Sequence, residues 1–148
     1  GFDHINIYSK GKTELGVSLS NFAEASISTI HGDFSSIEAY WYWLQCSPNV
    51  DRNSLKPYFG YGAKKYGREL RSQSETKISD DNPYFRLCIA NAIISKLIQH
   101  DPILTLFMKN DLPFDHYYVS DSGKRTRPQG AKWVVDIWSF LHELTHRG

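Results

Sequence analysis

Glu38 is the residue to start from, because the stretch Ser36-Ile37-Glu38-Ala39-Tyr40-Trp41-Tyr42-Trp43 sets one carboxylate among four aromatic rings. Read as a helix, Ile37, Tyr40, Trp41 and Leu44 fall at i, i+3, i+4 and i+7, the spacing of a buried face. Glu38, Tyr42 and Gln45 share the adjoining face, since residues four and seven apart stack over one another. A carboxylate held against aromatic walls loses solvation, and its pKa rises into the range of acid–base catalysis. The same rings suit a flat base or a sugar. On spacing alone the default remains a boundary residue that snorkels to water beside a core helix.

A second constellation carries less. His142-Glu143-Leu144-Thr145-His146 matches H-E-x-x-H, which on a helix puts two histidines on one face as zinc ligands and a glutamate beside them as base. The motif lies in a terminal turn, and only upstream residues such as Glu69 or His100 are left to supply a third ligand. Histidines near a helix C-terminus are favourable against the dipole without a metal. The reading is therefore no metal and no cofactor.

Several elements must position Glu38. His4 to Tyr8 alternates apolar and polar residues and reads as a short strand, and Ser9-Lys10-Gly11-Lys12 as a basic turn. Residues 21–30 read as irregular backbone ending in a short strand, and Gly32-Asp33 as a turn. Ser35 or Ser36 is the expected N-cap of the Glu38 helix, which Pro48 ends. After a loop over 47–57, residues 62–72 form a basic amphipathic helix carrying Lys64, Lys65, Arg68 and Arg71. Residues 72–81 are polar loop. Asn82-Pro83 opens the strongest helix, whose apolar positions wrap most of the way round, as suits the centre of a core. Asp101-Pro102 starts another helix to about Lys109. His116 to Val119 reads as a strand, residues 120–130 as a loop, and the last helix begins near Ala131.

The chain has 148 residues with 41% hydrophobic content and 21 aromatics (8 Phe, 9 Tyr, 4 Trp), enough for one folded domain with a real core. A formal charge of +1 demands no polyanionic partner. Two isolated cysteines, Cys46 and Cys88, exclude a disulfide framework and point to a reduced, cytoplasmic setting. No apolar run reaches transmembrane length, and no signal-like segment opens the chain, so no membrane partner is expected. Gly1, standing where an initiator Met would, is read as a processing scar and set aside.

Taken in order, several pieces resemble the NADAR superfamily, also called YbiA-like. Leu19-Ser20-Asn21-Phe22-Ala23 looks like its S-N-F element, and Gly32 through Tyr40 its Gly…Ser-x-Glu-x-Tyr segment. Ala63 through Arg68 is similar to Ala-x-x-x-Gly-Arg, and Ala92-Ile93-Ile94-Ser95-Lys96 to Ala-Leu-x-x-Lys. Asp115-His116-Tyr117-Tyr118 falls where the family shows Asp-x-x-Trp, and the segment Leu112–Val119 looks most like versions carried by large tailed phages. The resemblance spans nearly the whole chain, residues 2–148. It implies a compact, helix-dominated α+β single domain with a few short strands.

The activity it implies is N-glycosidic bond cleavage in ADP-ribose and riboflavin-precursor chemistry, including removal of ADP-ribose from guanine bases, free or in DNA or RNA; the ADP-ribose substrate is the one expected here. Glu38 and Asp115 become the acid–base and ribose-side carboxylates, their surroundings pushing the two pKa values apart. Ser20 and Asn21 face a base edge or ribose hydroxyl, and Phe22, Trp41, Tyr117 and Tyr118 offer stacking faces. Lys10, Arg68 and Lys124 are the candidates for the diphosphate. Two departures matter. Many relatives carry a lysine seven residues after the glutamate, to which an imine with opened ribose has been ascribed; here Gln45 stands there, leaving Lys64 or Lys65 to supply an amine. Tyr118 replaces a tryptophan. The rival reading is a binding module that keeps the pocket without catalysis, and a third is an interaction protein with exposed aromatics.

Overall fold

The computed structural model describes residues 3–128 and 130–147. In chain order the elements are β1 (Ile5–Asn6), α1 (Glu14–Leu19), β2 (Ile27–Thr29), β3 (Gly32–Phe34), α2 (Ile37–Gln45), a 3-10 turn (Arg52–Leu55), α3 (Gly60–Gln73) and α4 (Pro83–Gln99). They continue with α5 (Asp101–Lys109), β4 (Phe114–Asp115), β5 (Tyr118–Val119), β6 (Arg125–Thr126) and α6 (Lys132–Arg147). The class is α+β and helix-dominated. The chain divides into two compact units, residues 1–20 with 101–148, and residues 21–100.

In the first unit β1 pairs in parallel with β4, Ile5 opposite Phe114 and Asn6 opposite Asp115. Asn6 is buried and satisfied, its amide donating to the Tyr117 carbonyl and accepting from the Tyr117 N–H at 3.0 and 2.9 Å. Phe107 stacks on Phe114 at 5.6 Å and tilts against Trp138, so α5, β4 and α6 share an aromatic centre. Helix α1 escaped the sequence reading, although Thr13 caps it through the Gly16 N–H at 3.0 Å. Residues 120–130 are not all loop: β5 and β6 form a hairpin, Tyr118 opposite Thr126 and Val119 opposite Arg125.

In the second unit β2 and β3 make a hairpin whose turn is Ile30-His31. Gly32-Asp33 is thus strand and not turn; its φ of +106° makes Gly32 the residue that lets the chain leave so tight a bend. Ser36 caps α2, its Oγ accepting from the Ala39 N–H and donating to the Tyr58 carbonyl, both at 3.0 Å. Asn82 caps α4 through the N–H groups of Tyr84 and Phe85, with Pro83 following in the first turn.

Two expectations about faces are corrected. Helix α2 is buried on nearly every side, and Trp41, assigned to the buried face, is its one half-exposed position, meeting Phe85 edge-on at 4.8 Å. Helix α4 is buried along Phe85, Cys88, Ile89, Ala92, Ile93, Lys96 and Leu97, but Leu87, Ile94 and Ile98 are exposed. Its apolar residues therefore form two faces, one packed and one bare.

Helices α2 and α3 approach closely because α3 has no side chain at Gly67. A Cβ there would lie 2.3 to 2.6 Å from the Tyr42 side chain. Gly67→Ala gains about 1 kcal/mol of helix propensity but meets a ring that packing on every side holds in place. Overpacking typically costs about 1–3 kcal/mol. The expected outcome in urea denaturation is a lower midpoint at unchanged slope.

Candidate active site

Glu38 sits in the first turn of α2, delivered by the Ser36 cap and fixed by its own N–H, which donates to the Asn21 carbonyl at 2.9 Å. Its residue exposure is only 8%. Among the described residues the carboxyl has no hydrogen-bond partner. Burial dominates its titration and pushes the pKa up to about 7, with the charges of Lys64 and Arg68 pulling the other way. Both cations come from α3.

The two helices are in register here. Glu38, Tyr42 and Gln45 recur at i, i+4 and i+7 on α2, and Lys64, Arg68 and Arg71 do so on α3. Arg71 donates to the Gln45 side-chain oxygen at 2.8 Å and lies over the Tyr42 ring at 5.2 Å. Tyr42 is pushed up by burial first and by the Glu38 charge second, while Arg68 and Arg71 oppose the shift. Lys64 is half-buried with its Nζ 5.9 Å from the centre of the Phe22 ring. The loop of Asn21 and Phe22 is tied to the start of α3 by the Gly60 N–H, which donates to the Phe22 carbonyl at 2.9 Å. Among the described residues none of the three cations forms a salt bridge with a carboxylate. The arrangement is a partly protonated acid beside three cations that lack an anion.

The remaining sequence candidates lie elsewhere. Asn21, Phe22, Trp41, Lys64 and Arg68 belong to the second unit with Glu38; Lys10, Ser20, Asp115, Tyr117, Tyr118 and Lys124 belong to the first. Asp115 is ion-paired with Arg127 at 2.5 Å and accepts from the His116 N–H at 2.7 Å. Arg127 holds the Asp115 carboxyl below the usual range, so the two carboxyls titrate in opposite directions. Tyr117 is buried and not an open stacking face: Arg125 and Arg127 lie 4.7 and 5.4 Å from its ring, and its hydroxyl meets His4. Tyr118 is exposed, flanked edge-on by Tyr8 and His116. Lys10 and Lys124 are exposed, and Ser20 is buried at the end of α1.

In the H-E-x-x-H segment, His142 contacts the Asn110 carbonyl, His146 the His142 carbonyl, and Glu143 pairs with Arg147. Among the described residues no group of three or more His, Cys, Asp or Glu side chains is placed to hold a metal. Among the described residues no helix is long and apolar enough to cross a membrane.

Two residues were given no role of their own in the sequence reading. Arg71 was read only as part of a basic face, although its spacing from Lys64 mirrors that of Gln45 from Glu38. Lys96 is fully buried, and burial pulls its pKa down to about 7. Its position on the apolar stripe of Phe85, Ile89 and Ala92 was the available signal.

The chain superposes on the NMR structure of the E. coli protein YbiA with a TM-score of 0.71, over 97% of this chain and 86% of that one, at 18% sequence identity. The fold is YbiA-like. That likeness is one of architecture. No family model and no curated protein matches the chain.

Glu38 gives the site a pH signature. Its folded pKa, about 7, lies above the ordinary carboxylate value of 4.5, so the folded state holds its proton longer than the unfolded chain does. The penalty on stability is absent below the unfolded value, grows as pH rises through the interval and levels off above about 7. Glu38→Gln removes it. The variant gains up to about 3 kcal/mol over the parent at pH 8 and nothing at pH 4. Thermal unfolding of both proteins across that range checks the sign.

Proposed function

We propose that the protein is an N-glycosidase that hydrolyses the bond between ADP-ribose and a guanine base, with Glu38 as its general acid. The observation that carries this reading is the buried Glu38 carboxyl, without a hydrogen-bond partner among the described residues, near the charges of Lys64 and Arg68, with Arg71 further along the same α3 stripe at Gln45. A carboxyl with a pKa near 7 is half protonated at neutral pH, where a general acid works best. The three cations offer an anion site of the length of one helical stripe, which suits a diphosphate held by charge-assisted hydrogen bonds. The YbiA-like fold and the motif order support the same assignment.

In the proposed reaction the ribosyl C1′–N bond lengthens and positive charge grows on the sugar. Glu38 passes its proton to the departing nitrogen, water adds to C1′ and gives up a proton, and the products are ADP-ribose and unmodified guanine. Diphosphate at Lys64 and Arg68 offsets the charges that lower the Glu38 pKa. Substrate binding thereby favours the protonated, reactive form. Gln45 is no amine, and its role is to fix Arg71.

Chromatography with mass detection, after incubation with ADP-ribosylated guanine as nucleoside and in a short DNA strand, tests the activity. Release of ADP-ribose is expected, leaving the nucleoside or strand with unmodified guanine, with kcat/KM falling as pH rises above about 7 and a loss of about 10²–10⁴ in Glu38→Gln. Activity unchanged in Glu38→Gln sinks the mechanism. Arg68→Ala and Arg71→Ala are each expected to weaken ADP-ribose binding about tenfold in calorimetry, the cost of one charge-assisted contact.

A second reading, a recognition module on the same fold, is favoured by Gln45 in the place of a lysine. Tight ADP-ribose binding without turnover in the assay above establishes it.

A further inference from the structure

The bare face of α4 has a regular pattern that neither the core nor the candidate site uses. Tyr84, Leu87, Asn91, Ile94 and Ile98 follow one another at intervals of three, four, three and four residues, the spacing of a helix–helix seam. All are exposed, with Leu87 at 57% and Ile98 at 69%. Ile30, 80% exposed, sits in the β2–β3 turn between Ser28 and His31. That hairpin is tied along α4, Ser28 through its N–H to Ser95 Oγ and Gln99 Oε1, and His31 to the Tyr84 hydroxyl. The result is a continuous apolar strip with no charged residue at any seam position and one polar residue, Asn91, at its middle.

We infer that this strip is the interface of a two-fold symmetric homodimer, with Asn91 of each copy opposite Asn91 of the other.

The polar residue selects the occupant. Asn91 has no side-chain partner among the described residues. An apolar helix or a lipid surface laid on the strip would strip water from its amide and leave it unsatisfied. A second copy brings an identical amide to the two-fold axis, where donor and acceptor pair reciprocally, as a lone Asn does in the apolar seam of paired helices. The absence of charge removes the steering a charged partner would use and equally the repulsion that would keep two copies apart.

Area sets the strength. At their observed exposures these five apolar side chains present on the order of 500 Å² per copy, against about 800 Å² per partner in a standard interface. The dimer is therefore weak and concentration-dependent. The inference is independent of the proposed enzymatic activity.

Sedimentation velocity of the full chain between about 5 and 500 µM is the test. Progression from monomer to dimer across that range is expected, and Leu87→Lys, at a solvent-facing position, should hold the protein monomeric throughout with its circular dichroism unchanged. Asn91→Cys supplies the orientation: mild oxidation should give a disulfide-linked dimer on a non-reducing gel, whereas the parent, with Cys46 and Cys88 buried, gives none. A monomer at every concentration overturns the inference, as does a dimer that Leu87→Lys leaves intact and Asn91→Cys fails to cross-link.

Discussion

The close approach of α2 and α3 at Gly67 and Tyr42 is the contact on which the candidate site depends. With a side chain at Gly67 the helices would separate, and water would reach the α2 face that carries Glu38. The carboxyl would then titrate as an ordinary surface glutamate, since desolvation is the leading cause of its shift. The same approach sets Arg71 on Gln45 and over the Tyr42 ring. One missing Cβ thus controls both the acid strength of Glu38 and the placement of the cations around it.

That arrangement runs against stability. A largely buried carboxyl without a hydrogen-bond partner among the described residues is unfavourable in its charged form, and like charges at successive turns of one helix face repel by a few tenths of a kcal/mol per pair. Folded chains hold such features where the surrounding packing over-determines them, and here α2 is packed on nearly all sides while α3 presses on its charged edge. An anion at Lys64, Arg68 and Arg71 relieves the repulsion among the cations and leaves Glu38 in its neutral, protonated form. Electrostatic strain of this kind, localised and relieved by a ligand of one charge type, marks a binding site better than any single residue does.

The sequence and the structure agree where local signals were strong and part where long-range packing decides. The caps at Ser36 and Asn82 place the starts of α2 and α4 because an N-cap is a local hydrogen bond, readable from two or three residues. Helix α1 was lost because Gly16, Val17 and Ser18 are poor helix formers in so short a segment, and only its packing in the first unit holds it. Trp41 was put inside by its spacing, yet the whole of α2 is enclosed and spacing cannot rank faces in an enclosed helix. At the site, Glu38, Lys64 and Arg68 were legible from the sequence. Arg71 was not, because its significance lies in matching a periodicity on another helix. Tyr117 was misjudged for the converse reason: Arg125 and Arg127, which cover its ring, come from a hairpin that reads as loop.

Gln45 is the position where this chain departs most from the pattern its motifs resemble, and the structure gives the departure a physical meaning. A lysine there would be a cation and a potential nucleophile in one. Gln45 with Arg71 keeps the first property and discards the second. The guanidinium stays charged at any physiological pH, presents a planar array of donors and is oriented by the amide it bonds, so it binds an oxyanion well and attacks a carbonyl not at all. For the proposed hydrolysis, a site built this way favours a route in which the leaving group is protonated and the sugar is captured by water over one that passes through an imine at position 45. The burial that lifts Glu38 towards neutrality is what the first route requires, since without a covalent intermediate the departing base must be made a better leaving group by proton transfer alone.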